Sequence, residues 1–420
     1  MRAGLSEELR SSERAQRARD LLAACVHCGF CTATCPTYRL LGDELDSPRG
    51  RIYLVKQVLE GADAGPSSLR HLDRCLTCRA CETACPSGVR YGELSEIGRE
   101  LLAERVPRPP VARIARWLIA RLVPSPVFAW AVAVSGLLAP LLPAAIARGL
   151  PRRVGRGGLA AAPAGSSRRV LLLEGCAQGA LRPGINAATS RVLARAGIGA
   201  IVAHGAGCCG ALRAHLGEHE AGLEDMRRNV DAWWPHVAGE RGAGPVEAIV
   251  MTASGCGSMV KEYGERLAHD PAYAQKAQCV SRLTRDLSEI LPDLLPALQA
   301  AMPAGAAPGP RLALHVPCTL QHGQRCGRTL AQDLRSLGLD AHEAPTEAGF
   351  CCGSAGAYSL LQPDIARALR RRKLDSLESL EPQCIASANI GCIGHLQGAT
   401  DRPVRHWIEV VDERLRALGR

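Results

Sequence analysis

Cys25, Cys28, Cys31 and Cys35, with Pro36 behind them, follow the spacing C-x2-C-x2-C-x3-C-P, and Cys75, Cys78, Cys81, Cys85 and Pro86 repeat it fifty residues later. Three thiolates on one tight turn can each take one iron of a 4Fe-4S cubane. The fourth, further along the chain, points away and completes the other cluster. The spacing therefore assigns Cys25, Cys28, Cys31 and Cys85 to one cluster, and Cys75, Cys78, Cys81 and Cys35 to its partner. Zinc also accepts four thiolates, but a zinc knuckle does not need this particular run, still less two copies of it. His27, Thr77 and the amides of Gly29 and Ala80 sit where hydrogen bonds to sulfur or local polarity would tune a reduction potential. His27 by itself reads better as an incidental loop residue.

A second constellation follows. Cys176 precedes Cys208-Cys209-Gly210 by 32 residues and Cys256 comes after, and Cys318, Cys351-Cys352-Gly353 and Cys392 repeat the order with a gap of 33. Cysteines just past strand ends, beside glycine-rich turns, converge on the crevice where α/β folds place ligands. Gly210 and Gly353 let the backbone approach closely there. A 4Fe-4S cluster, a zinc site and an unmetallated pocket of buried thiols all remain open for each repeat. Sixteen of the nineteen cysteines are thereby placed. Cys279 and Cys326 read as ordinary thiols, and Cys384 as a small apolar residue in a strand.

These residues need elements to hold them, and a chain of 420 residues has room for two to four domains. Residues 1–105 read as a helical domain, with Leu45 to Glu60 as a helix between the two cysteine runs. Residues 106–167 are a Pro/Ala/Arg-rich connector. Residues 168–305 and 306–420 are two α/β repeats, with strands expected at Val170–Leu173, Ala248–Thr252, Leu312–Val316 and Cys384–Ser387. The fold class is thus α+β and multidomain. Within the connector, Trp117 to Ile146 is long and apolar but interrupted by Pro124, Pro126, Pro140 and Pro143. It reads as one or two packing helices, or as a pair of short helices at a membrane interface with Arg113, Arg116, Arg121 and Arg148 at the head groups.

Composition removes other classes. The charged, helix-like stretch Met1 to Asp20 has no apolar core, so the thiols are expected to be cytosolic and reduced. Only fourteen aromatics and a net charge of +10 without a long basic run argue against nucleic acid. No dinucleotide fingerprint, P-loop or nucleophile elbow is present, so substrate oxidation is expected in a partner.

Paired cysteine runs followed by two cysteine-rich repeats resemble the family of glycolate oxidase iron-sulfur subunits, across essentially the whole chain. Kin include the small subunit of anaerobic glycerol-3-phosphate dehydrogenase, lactate-utilisation proteins and heterodisulfide reductase subunits. The stretches Pro317-Cys318-Thr319-Leu320-Gln321-His322, Cys351-Cys352-Gly353-Ser354-Ala355-Gly356, Ala388-Asn389-Ile390-Gly391-Cys392 and Val404-Arg405-His406-Trp407-Ile408-Glu409 carry the likeness to the glycolate branch. The resemblance implies a two-cluster ferredoxin domain of bacterial type and two CCG domains. It further implies an FAD-containing glycolate oxidase subunit as electron donor and a quinone or other acceptor, on the inner face of the cell membrane. Arg49, Arg51 and Arg74 are candidates for docking the donor. An electron-transfer subunit of a D-lactate or glycerol-3-phosphate dehydrogenase, and a thiol/disulfide redox protein, are the alternatives. One departure matters: repeats of the heterodisulfide reductase type close with C-x2-C, where this chain has Met259 in one repeat and His395 in the other. The non-cubane cluster is therefore not carried over, and His395, His315 and His322 become candidate nitrogen ligands or proton carriers.

Overall fold

The computed structural model describes residues 1–138, 153–163, 167–240, 244–303, 305 and 307–418. By internal contact the chain divides into two units: Met1–Trp117 together with Gly349–Lys373, and Leu118–Ala348 together with Leu374–Arg420.

The first unit is helical. Glu13–Ala23, Pro48–Leu59, Pro66–Asp73 and Tyr91–Arg105 pack Leu22, Val55, Val58, Leu59, Leu72, Leu94 and Leu102 into one core. The expected helix from Leu45 begins three residues later. Ser47 accepts a hydrogen bond from the Gly50 amide and Pro48 fills the first helical position, while Glu44–Asp46 makes a separate 3-10 turn. Gly50 is required there, because a Cβ would run into the Glu44 carbonyl. The turn and the helix thus lie in contact, which brings Asp46 against Arg51.

In the second unit the strands are β1 (Arg169–Leu172), β2 (Gly199–Ile201), β3 (Ala248–Met251), β4 (Thr284–Asp286), β5 (Arg311–His315), β6 (Asp340–Glu343), β7 (Cys384–Ser387) and β8 (Val404–His406). They form two parallel sheets, ordered β2-β1-β3-β4 and β6-β5-β7-β8. The same order twice is the duplication read from the cysteines. Each central pair is in register, Val170 opposite Ala248 and Leu312 opposite Cys384. The central strands lie within a residue of their expected bounds. The flanking strands β2, β4, β6 and β8 were not expected, because Gly199–Ile201 or Asp340–Glu343 has too few apolar residues to stand out from a loop.

The two sheets meet through polar contacts. The Ser254 amide donates to the Ala388 carbonyl at 3.1 Å and the hydroxyls of Ser254 and Thr319 lie 2.7 Å apart. Buried His406 donates from Nε2 to the Thr252 carbonyl at 2.9 Å and accepts the Ile408 amide on Nδ1 at 3.2 Å. With both ring nitrogens committed, the ring is neutral, and burial lowers its pKa to about 3. The unfolded chain therefore takes up a proton that the folded chain refuses. Stability is complete above the ordinary value near 6.5 and is lost as pH falls from there toward 3, by about 1.4 kcal/mol per unit. Between pH 7 and pH 5, urea unfolding should show the native chain losing about 2 kcal/mol more than His406→Gln. Asp225 and Asp286, which burial pushes up to about 6, act in the opposite sense but cancel in that comparison. Equal losses would dismiss the role given to His406.

The connector forms helices Pro110–Leu122 and Pro126–Leu138. Among the described residues no single helix is long and apolar enough to cross a membrane, and the two pass such a test only as a pair bent by 93°. Pro140, Pro143 and Arg148 lie outside the described residues. Arg116 does not reach outward as expected: it pairs with Asp73 at 2.9 Å, and Arg108 holds the same carboxylate at 3.0 Å.

Candidate metal centres

Each cysteine run folds into the same loop. His27 and Gly29 in the first, and Thr77 and Arg79 in the second, take left-handed conformations, with φ of 58°, 88°, 50° and 59°. Short helices, Phe30–Ala33 and Ala80–Thr83, follow directly. Left-handed residues in succession turn backbone N–H groups toward a common point, which suits an anionic occupant. The Thr77 amide accordingly donates to Cys75 Sγ at 3.4 Å.

Two cavities open beside these loops, with about 430 and 300 Å³ of space including their mouths. Cys25, Cys28, Cys31 and Cys85 line the first, and Cys35, Cys75, Cys78 and Cys81 the second, Cys81 also bordering the first. Among the described residues no carboxylate lines either cavity. Four soft thiolates without carboxylate oxygens fit a 4Fe-4S cluster and do not suit calcium or magnesium.

The cavities differ electrostatically. Cys28 is exposed, and Cys31 and Cys85 are half-buried, whereas Cys35, Cys75 and Cys81 are buried. Burial pushes the Cys31 thiol up to about 11. Burial also pushes Cys75 up, yet the nearby charges of Arg51 and Arg99, the Thr77 amide and the Tyr91 hydroxyl hold it below its ordinary value. Arg51 was expected on a docking surface and is instead 1% exposed, its Nε on the His71 carbonyl at 2.7 Å and its Nη2 on Asp46 at 3.2 Å. Arg49 and Arg74 are likewise engaged, with Glu44 at 2.5 Å and Asp46 at 2.8 Å. Thr37, Asp46 and Tyr91 escape a sequence reading because none falls at a ligand spacing.

In the first cysteine-rich repeat the thiols of Cys176, Cys208, Cys209 and Cys256 form a hydrogen-bonded chain in that order. Cys208 is held low, chiefly by the Cys176 and Cys209 thiols, while the Cys208 and Cys256 thiols and burial raise Cys209. Buried Asn229 braces the loop, donating to the Cys208 carbonyl at 2.7 Å, and Tyr263 donates to the Cys209 carbonyl at 3.0 Å. Gly210 has φ of 86°, and a Cβ there would stand 2.7 Å from the Gly222 carbonyl oxygen. Gly353 repeats this at 93° and 2.6 Å from the Ala366 carbonyl oxygen. The Gly210 amide donates to Cys208 Sγ at 3.5 Å, and the Gly353 amide to Cys351 Sγ at 3.4 Å. Cys351 and Cys352 are buried in the helical unit. Cys318, Cys392 and His395 belong to the other unit, where a His315 ring nitrogen and Cys392 Sγ lie within 4.8 Å and Asn389 donates to Cys392 Sγ at 3.4 Å. Met259 is 4% exposed within an apolar core, so it serves packing.

Residues 21–89 match the 4Fe-4S dicluster domain family, and residues 170–261 and 312–397 match the cysteine-rich domain family. The glycolate oxidase iron-sulfur subunit of Escherichia coli (strain K12) is 50% identical over 416 residues, covering 99% of both chains. The chain belongs to the glycolate oxidase iron-sulfur subunit family. It is an iron-sulfur electron-transfer subunit with two 4Fe-4S clusters, and within this family the cysteine-rich repeats remain candidates for further metal. Lactate utilization protein A of Bacillus pumilus (strain SAFR-032) is 24% identical over 254 residues, all of that protein but only 59% of this chain. The glycolate oxidase relative thus matches this chain end to end, and the lactate protein matches only 59% of it.

Proposed function

We propose that this chain carries electrons from a flavoprotein that oxidises glycolate to glyoxylate to a quinone-type acceptor at the inner membrane surface. The observation that carries this reading is the pair of four-thiol cavities in a chain matched end to end by a glycolate oxidase iron-sulfur subunit. Cys25, Cys28, Cys31 and Cys85 hold one cluster, and Cys35, Cys75, Cys78 and Cys81 the other. Bound there, 4Fe-4S clusters supply one-electron carriage, which a flavin reduced by two electrons requires. The exposed Cys28, beside Val26 and Phe30 at 68% and 65% exposure, puts the first site within reach of a docked donor. Val111, Ile114 and Trp117 are exposed on the first connector helix, and Arg113 is exposed among them. An apolar, aromatic face with a cation suits the head-group boundary of an anionic membrane. Anaerobic purification of the full chain from its native host should recover a flavoprotein with it, and no fewer than about eight iron and eight acid-labile sulfide per chain, the count two cubanes require. Zinc in place of iron, or a purified complex that fails to reduce a quinone with glycolate, would refute the reading.

A further inference from the structure

Among the residues that line the second cavity, Tyr91, Thr37 and Arg51 bring polar or charged groups to the ligand sulfurs, beside the apolar Pro36, Pro48 and Leu76. Tyr91 donates its hydroxyl to Cys75 Sγ at 3.6 Å. Thr37 Oγ1 lies 3.3 Å from Cys35 Sγ and donates its proton to the Asp46 carbonyl at 3.1 Å. Arg51 Nη1 points at Cys35 Sγ at 3.9 Å and donates to Thr37 Oγ1 at 3.1 Å. Around them Arg51, Arg74, Arg79 and Arg99 supply four positive charges against the carboxylates of Asp46, Glu82 and the exposed Asp43. The first cavity is also bordered by Tyr91, and its Cys31 takes a hydrogen bond from the Arg49 amide. Its lining cation, Arg49, is turned to Glu44 at 2.5 and 3.2 Å, and Cys28 faces water.

We propose that Arg51 and Tyr91 make the buried site of Cys35, Cys75, Cys78 and Cys81 the higher-potential of the two, so that an electron shared between the sites resides there. The reasoning rests on the cluster assignment of the preceding section. Reduction adds one negative charge. A guanidinium that cannot lose its proton, fixed against the ligand sulfur in a dry interior, stabilises that charge, and so does each O–H or N–H donated to sulfur. Burial works the other way, since it disfavours the more highly charged form. The guanidinium of Arg51, 1% exposed and fixed against Cys35 Sγ, decides the sign. The exposed site receives the electron and the buried one retains it, giving the relay a direction.

A potentiometric titration of the anaerobically purified full chain, followed by electron paramagnetic resonance, tests this without partner, substrate or acceptor. The native chain should show two separated one-electron midpoints. Tyr91→Phe, which removes only a hydroxyl, should lower the higher midpoint and leave the lower in place. Arg51→Gln should lower the same midpoint further, by a factor of about ten in the equilibrium for sharing the electron, equal to 59 mV for a one-electron couple. Arg51→Lys, which keeps the charge, should recover most of that shift. Coincident midpoints in the native chain, or variants that move the lower midpoint or neither, would overturn the proposal. If Arg51→Gln does not fold, Tyr91→Phe decides alone. Iron content settles the cluster reading separately, so failure of one is not failure of the other.

Discussion

Cys78→Ser is expected to leave a folded chain whose partner flavin is still reduced by substrate while the acceptor is not. Cys78 suits this test because it is half-buried and lines the second cavity yet stands outside the apolar core that takes in Cys25, Cys75 and Cys81. Its loss therefore costs little packing and acts on the ligand set alone. A serine hydroxyl is a harder donor and stays protonated where a thiol ionises, so it replaces a thiolate poorly on iron. The loss of a mere outer-shell partner costs a metal site about 10- to 100-fold, so removing a ligand should lower acceptor reduction by more than about 100-fold. Stopped-flow bleaching of the flavin and steady-state reduction of a quinone analogue, made on one preparation, separate the two steps. Cys279→Ser, outside both cavities, is the control and should behave as the native chain. Acceptor reduction at the native rate by Cys78→Ser would mean that electrons leave the complex by another route.

What could be read without coordinates was whatever chemistry had written at fixed intervals. The C-x2-C-x2-C-x3-C-P runs, and Gly210 and Gly353 after their paired cysteines, are short-range constraints: a loop must turn within three residues, or a helix carbonyl comes within 3 Å of a would-be Cβ. The central strands were legible because β3 and β7 are buried at every position, which demands an unbroken apolar run. The flanking strands were not, since β4 (Thr284–Asp286) and β8 (Val404–His406) mix polar and charged residues whose pairing is decided by neighbours distant in sequence. Arg51 was misread for a related reason. Arginine is exposed unless its donors are all met inside, and the groups that meet them, the His71 carbonyl, Thr37 and Asp46, come from three separate elements. Similarly, the Arg116 reading failed because its partner Asp73 sits more than forty residues away.

Asp46→Ala should destabilise the helical unit by about 3–5 kcal/mol, the usual cost of stranding one member of a buried ion pair. Asp46 is fully buried, and its carboxylate faces Arg51 at 3.2 Å, Arg74 at 2.8 Å and the His71 Nδ1 at 3.1 Å. Arg74 is 27% exposed and can rehydrate, but Arg51 cannot without opening the core. Denaturant unfolding followed by loss of cluster absorbance reads this unit, and a loss under about 1 kcal/mol would show that Arg51 finds other compensation. The double replacement Asp46→Leu with Arg51→Met then separates stability from tuning. Buried pairs exchanged for apolar residues of similar size are often neutral or even stabilising, so most of the lost stability should return. The potential of the buried site should not return with it, because the guanidinium beside Cys35 is gone. A double variant that regained both would assign the pair to packing alone, whereas one that regained stability only would show that a charge is kept in the interior of this unit for its effect on electrons.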